Sequence, residues 1–165
     1  MTPLPPPYGG GEIMSEILVE GLKKSKQFNI YHLNTSDNRG NSNRGKFDIL
    51  NIYNGLLNLY RMVRLIRRLK PEVVYLPISK TYRSFMRDAL YINTASSLGV
   101  KVVAHLHGGY FTLNDGHGIR KRIVNYSLQN IHTLLVLGKN MKEKFESKLP
   151  VKNIRVVYNG IRPLG

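Results

Sequence analysis

The sequence predicts an α/β fold: a parallel sheet with helices on both faces. Three observations carry this. Segments of helical and strand character alternate along most of the chain. No hairpin signal joins two strands directly. Val100–Leu106 (VKVVAHL) is an almost continuous apolar run, as expected of a strand buried in a parallel sheet. Parallel neighbours need a crossover between them, and the alternation supplies a helix for each.

Gly11–Ser25 sets Ile13, Ile17, Leu18 and Leu22 at helical spacing. Glu12 falls in its first turn and Lys23 and Lys24 in its last, where the helix dipole favours each charge. Phe28–Leu33 (FNIYHL) is short and β-prone and reads as a strand. Ser36–Lys46, rich in Gly and Asn, reads as a mobile loop. Leu56–Leu69 is a helix whose apolar residues include Leu56, Leu59, Tyr60, Val63 and Ile66, with Pro71 beyond its end. Glu72–Leu76 is a strand, Tyr82–Leu98 a helix ended by Gly99, and Val100–Leu106 the buried strand. Ile119–Asn130 and Asn140–Lys148 read as helices, Thr133–Leu137 and Ile154–Tyr158 as strands. Ligands in such folds sit beyond the carboxyl ends of the strands, so residues just after each strand are the functional candidates.

The chain of 165 residues is long enough for one domain with a core and too short for two full-sized ones. Absence of cysteine excludes disulfides, thiolate metal sites and cysteine nucleophiles. No run of about 18 apolar residues predicts a spanning helix. Met1–Gly11, rich in Pro and Gly, lacks the basic and apolar regions of a signal peptide. The charge balance is unusual: 25 Lys and Arg against 10 Asp and Glu, a net charge of +15. From Arg61 to Arg122 there are twelve basic residues and three acids, Glu72, Asp88 and Asp115. Such a surface either attracts polyanions (nucleic acid, anionic lipid, phosphorylated ligands) or simply maintains solubility.

Four motifs carry candidate chemistry. Pro5-Pro6-Pro7-Tyr8-Gly9-Gly10-Gly11-Glu12 runs straight into the first helix. Gly9, Gly10 and Gly11 would let backbone approach a phosphate at the helix start; a flexible leader is the plainer alternative. The motif matches neither the Walker pattern nor G-x-G-x-x-G. His105-Leu106-His107-Gly108-Gly109-Tyr110 ends the central strand, and alternation puts His105 and His107 on one side of it. His107 at the carboxyl edge can bond a sugar hydroxyl or, if protonated, offset phosphate charge. A structural histidine and a zinc site are the rivals, although no matching Asp, Glu or His cluster stands nearby in the sequence. Tyr158-Asn159-Gly160 is a turn after the last strand. Finally, Arg61, Arg64, Arg67, Arg68 and Lys70 make the Leu56–Leu69 helix resemble an interfacial one, and Arg83, Arg87, Arg120, Lys121 and Arg122 could extend its patch towards anionic lipid.

In this order the motifs resemble the N-terminal half of a GT-B glycosyltransferase, of the retaining type called glycosyltransferase family 4. PPPYGGGE is similar to that family's Gly-Gly loop, and VVAHLHGG to its central strand ending in His-Gly. TLLVLGKNMKEKF resembles its strand-to-helix segment, with Gly138 where serine is common, and IRVVYNGI its closing strand and turn. The resemblance spans nearly the whole chain. It implies one Rossmann-like domain of a two-domain enzyme, which moves a sugar from a nucleotide-diphosphate sugar to a glycan or lipid-linked acceptor. It also implies that Gly9, Gly10 and Gly11 contact the donor diphosphate, that His107 lies near the transferred sugar, and that Gly108, Gly109 and Tyr110 shape the pocket. No metal or other cofactor is implied. The implied setting is cell-envelope glycan synthesis on the cytoplasmic face of an anionic membrane.

Two departures accompany it. The family's first strand, normally before the Gly-Gly loop, is not recognisable here. Nor is the C-terminal domain with its Glu-x7-Glu pair; Glu143 and Glu146 do not supply one. The chain by itself is therefore expected to be inactive in transfer. Its alternatives are a non-catalytic basic module for an anionic membrane, or a subunit paired with a separate C-terminal-domain protein. Nucleic acid is disfavoured as a partner because no recognition signature interleaves the aromatic and basic residues.

Overall fold

The computed structural model describes residues 1–6, 8–36, 49–108 and 117–159. The chain divides into two compact units, one comprising Met1–Lys46 with Asn159–Gly165 and the other Phe47–Tyr158.

In the first unit, helix α1 spans Gly10–Lys24. Gly9 is its N-cap, and the Gly9 carbonyl accepts from the Ile13 amide at 3.0 Å. The expected strand FNIYHL does not form. What exists is a single parallel bridge, Thr2 to Asn34, made by the Thr2 amide to Leu33 and the Thr35 amide to Thr2. The ladder cannot propagate beyond it. Pro3 and Pro5 have no N–H, and the Leu4 amide donates instead to the side chains of Asn34 and Ser36. A β-prone run without a partner backbone stays irregular. The predicted loop Ser36–Lys46 lies outside the described residues apart from Ser36.

The second unit runs α2 (Ile49–Leu69), β1 (Val73–Ile78), α3 (Tyr82–Ser97), β2 (Lys101–Leu106), α4 (Gly118–Gln129), β3 (Thr133–Val136), α5 (Lys139–Glu146) and β4 (Ile154–Val156). All four strands are parallel, in the order β1-β2-β3-β4. This is the α/β class that the alternation predicts, a parallel sheet flanked by helices. Each step moves to the next strand in the same direction, so right-handed crossovers place α3, α4 and α5 on one side. Burial agrees. Val74, Leu76, Ile78, Val102, Ala104, Leu106, Leu134 and Val136 are buried, whereas Tyr75, Val103 and Leu135 on the alternate positions are only half-buried. Phe85, Ile92 and Ala95 of α3 and Val124 and Leu128 of α4 complete this core. Each large side chain buried there contributes about 1.5–3 kcal/mol.

Local chemistry sets the boundaries. Gly99 adopts φ +78° after α3, and the Val100 amide reaches back to the Ala95 carbonyl at 3.1 Å, the bond pattern of a Schellman stop. Pro77 sits inside β1 without breaking it. The Lys101 amide donates to the Glu72 carbonyl, so even-numbered residues of β1 face β2 and Pro77 faces the outer edge, where its missing N–H costs no ladder bond.

Helix α2 differs from expectation. It begins seven residues earlier than predicted, at Ile49, and its buried residues are Met62 and Ile66. Leu56 and Tyr60, expected on the inner face, are 55% and 63% exposed. This helix is apolar over more than one face, so periodicity alone does not select the one that packs.

Candidate functional site

The carboxyl ends of β1 and β2 are adjacent, with Ile78 opposite Leu106. Ser79 and Lys80 follow the first, His107 and Gly108 the second. The Gly108 amide donates to the Leu106 carbonyl at 3.1 Å, closing a three-residue turn with His107 at its centre. The expected pairing of the histidines is observed: their rings stack with centroids 3.9 Å apart. His105 is 6% exposed, and its Nδ1 lies 2.8 Å from the Tyr75 hydroxyl. With that hydroxyl donating, the proton of the neutral ring sits on Nε2.

Burial holds His105 well below the usual histidine range, at about 4, and neighbouring His107 adds to the effect. Burial also lowers His107, and it raises the Tyr75 hydroxyl. The pair is therefore neutral at pH 7 and offers hydrogen bonds rather than charge. His105 Nε2 and both nitrogens of His107 are buried with no hydrogen-bond partner among the described residues. Each such orphan costs about 1–3 kcal/mol until something bonds it.

Lys80, which the sequence reading passed over, belongs to this edge. Gly108 has φ +149°, and a Cβ there would stand 2.8 Å from Lys80 Nζ and 3.1 Å from its Cδ. Glycine is favoured there by conformation, and the flexible end of the lysine lies across it. Behind Lys80, the Ser79 amide donates to Asp88 Oδ2 at 2.7 Å. Asp88 is 1% exposed, and its other oxygen accepts from Arg87 Nε and Nη2 at 3.0 and 2.8 Å. The sequence signals are weak: Asp88 is one of three acids within a basic stretch, and Lys80 follows a strand.

Gly9 caps α1 while Gly10 and Gly11 form its first turn; a Cβ on Gly10 or Gly11 would meet nothing within 4 Å. Gly109, Tyr110 and Gly160 lie outside the described residues.

The arginines among the described residues are all exposed, and they fall into two groups along the strands. Arg61, Arg64, Arg67 and Arg68 occupy the half of α2 that ends just before β1 begins, towards the amino ends of the strands. Arg83, Arg120, Lys121 and Arg122 open α3 and α4, which start from the carboxyl ends. Arg120 stacks 5.3 Å over the Tyr82 ring. Arg87 packs beside Gly55, and Arg68 lies roughly 20 Å further along α2 at about 1.5 Å per residue. Among the described residues no group of three or more metal-ligating side chains comes together, and no helix is long and apolar enough to cross a membrane.

A four-stranded parallel sheet flanked by helices defines a Rossmann-like domain. The family model for Glycosyltransferase Family 4 matches residues 8–163, and the chain belongs to that family, as the N-terminal domain of a GT-B glycosyltransferase. No curated protein matches the chain in sequence.

Proposed function

We propose that this domain is the acceptor side of a retaining glycosyltransferase, which moves a sugar from a nucleotide-diphosphate sugar to a glycan or lipid-linked acceptor. The observation that carries the reading is the neutral imidazole pair at the turn after β2, three of whose nitrogens are buried and lack partners among the described residues. Ligand hydroxyls are the natural groups to bond neutral imidazoles. His107 contacts the sugar in this reading, and the amides of Gly9, Gly10 and Gly11 receive the diphosphate. Glycosyl transfer also needs the leaving diphosphate stabilised and the acceptor positioned, tasks shared with a second domain, so the isolated chain is inactive. Titrating the isotope-labelled chain with UDP-glucose tests this. The expected result is saturable movement of the Gly9–Gly11 amide and His107 ring resonances without turnover. Unmoved resonances at both places, or transfer by the chain alone, would count against it.

A second reading, a basic module on an anionic membrane, is favoured by α2. Its outward stripe of Ile49, Tyr53, Leu56 and Tyr60, each more than half exposed, continues into the arginines. Both readings hold together if the acceptor is lipid-linked. Vesicles rich in phosphatidylglycerol should sediment the protein, and neutral vesicles should not. Replacing Arg64, Arg67 and Arg68 with glutamine should weaken that binding about a hundredfold, at about 1 kcal/mol per charge. Equal binding to neutral vesicles would remove the electrostatic part. Binding to oligonucleotides with a steep salt dependence, but not to vesicles, would redirect the charge to nucleic acid.

A further inference from the structure

We propose that Tyr75 is a positioning residue, whose hydroxyl sets the tautomer of His105 and so fixes which nitrogens of the imidazole pair give a hydrogen bond and which take one. The proposal rests on the sugar-site reading above and adds to it the group that orients the pair and the bonding pattern a ligand must match.

Tyr75 is opposite Val103 in the register of β1 and β2, so His105 stands one step further along on the same face of the sheet. The two rings meet edge to face, with centroids 6.0 Å apart and planes at 74°. The Tyr75 oxygen lies 2.8 Å from His105 Nδ1. Both side chains rise from paired strands rather than loops, so the sheet itself holds the contact. A phenol O–H is a strong donor and a bare imidazole nitrogen a strong acceptor, so the proton of this bond stays on Tyr75. Burial raises the Tyr75 hydroxyl, which therefore keeps its proton at neutral pH. With Nδ1 accepting, the hydrogen of His105 is confined to Nε2. His107, stacked on that ring at 3.9 Å, is restrained with it.

Neutral His107 carries one N–H and one bare nitrogen in either tautomer. The three nitrogens without partners among the described residues therefore present two donors and one acceptor. In the other tautomer of His105 that pattern would invert, to one donor and two acceptors. Two donors and one acceptor suit a pair of neighbouring hydroxyls on a polyol, which accept twice and donate once. A carboxylate only accepts, so it would leave the bare nitrogen of His107 unfilled, and a buried bond left unmade is costly. Tyr75 thus bears on specificity without touching the ligand.

Nitrogen-15 spectra of the histidine-labelled 165-residue chain read the tautomer directly, with no ligand present. His105 should show a protonated Nε2 and a bare, hydrogen-bonded Nδ1. In Tyr75→Phe, which keeps the ring and its packing, the Nδ1 signal should lose its hydrogen-bond shift. UDP-glucose should bind Tyr75→Phe about fivefold more weakly than the wild type, whereas UDP, which lacks the sugar, should bind both alike. A tyrosine that serves packing alone would lower the thermal midpoint without moving the Nδ1 signal or separating the two ligands. A proton on Nδ1 in the wild type overturns the proposal whether or not the variant folds, and leaves the sugar-site reading intact. So does an Nδ1 signal that is the same in both proteins. Equal weakening of UDP and UDP-glucose, or of neither, refutes the positioning role while the wild-type response of His107 still supports the sugar site. If UDP-glucose moves no His107 resonance in the wild type, the sugar-site reading fails and the role of Tyr75 fails with it.

Discussion

Replacing Asp88 with alanine is expected to lower folding stability by about 2–3 kcal/mol and to loosen the ligand edge in the molecules that remain folded. The carboxylate is 1% exposed and makes three hydrogen bonds. The bond from Ser79 has the larger consequence. It ties the first residue after β1 to the second turn of α3, and alanine would strand that amide while leaving a small void. The ion pair with Arg87 matters less. The Arg87 side chain is 55% exposed, so water can take over its charge when Asp88 is lost. Arg87→Ala, by contrast, leaves one oxygen of the buried carboxylate without its donors and should cost about 1–2 kcal/mol. Asp88→Asn can still accept from Ser79, but its amide then faces the guanidinium donors, so a loss of about 1–2 kcal/mol is expected. Urea denaturation midpoints of the three variants give the ranking. An Asp88→Ala protein within about 0.5 kcal/mol of the wild type would show that the Ser79 bond does not hold the edge.

The same cluster shows how much the sequence discloses. The sheet is legible because burial writes itself into composition: VKVVAHL is apolar since β2 lies between two strands, and Gly99 marks a helix end since only glycine takes φ +78° easily. The stacking of His105 and His107 follows from strand alternation alone. What depends on a partner is not legible. FNIYHL has the propensity of a strand, and the chain beside it offers only Thr2 before prolines intervene. The inner face of α2 is undecided because Leu56 and Tyr60 are as apolar as Met62 and Ile66, and packing chooses the latter pair. The basic residues look like one patch until topology puts those of α2 towards the amino ends of the strands and those opening α3 and α4 at the carboxyl ends. Lys80 and Asp88 escape notice because their significance lies in contacts with Gly108 and Ser79, made across a strand neighbour and a crossover.

Acidification should weaken the domain through the imidazole pair. An ordinary histidine in the unfolded chain gains its proton around pH 6.5, whereas burial holds His105 at about 4 in the folded state and lowers His107 as well. Between these values the unfolded chain binds more protons than the folded one, so stability rises with pH across the window. It is complete above about pH 6.5 and is lost as pH falls towards 4, by on the order of 2–3 kcal/mol for His105. Burial lowers His32 too, through the same cause, so the whole-protein slope is not His105's alone. His105→Gln isolates its share. The amide oxygen of glutamine can still accept from the Tyr75 hydroxyl, yet it does not titrate. Stability measured by urea denaturation from pH 7.5 to 4.5 should fall more steeply for the wild type than for His105→Gln, with the two curves parallel above pH 7. Parallel curves throughout would mean that His105 is protonated as readily in the fold as out of it. The strict neutrality that suits this pair to hydroxyls would then be weakened, because part of the His105 population would carry charge near neutral pH and recruit an anion instead.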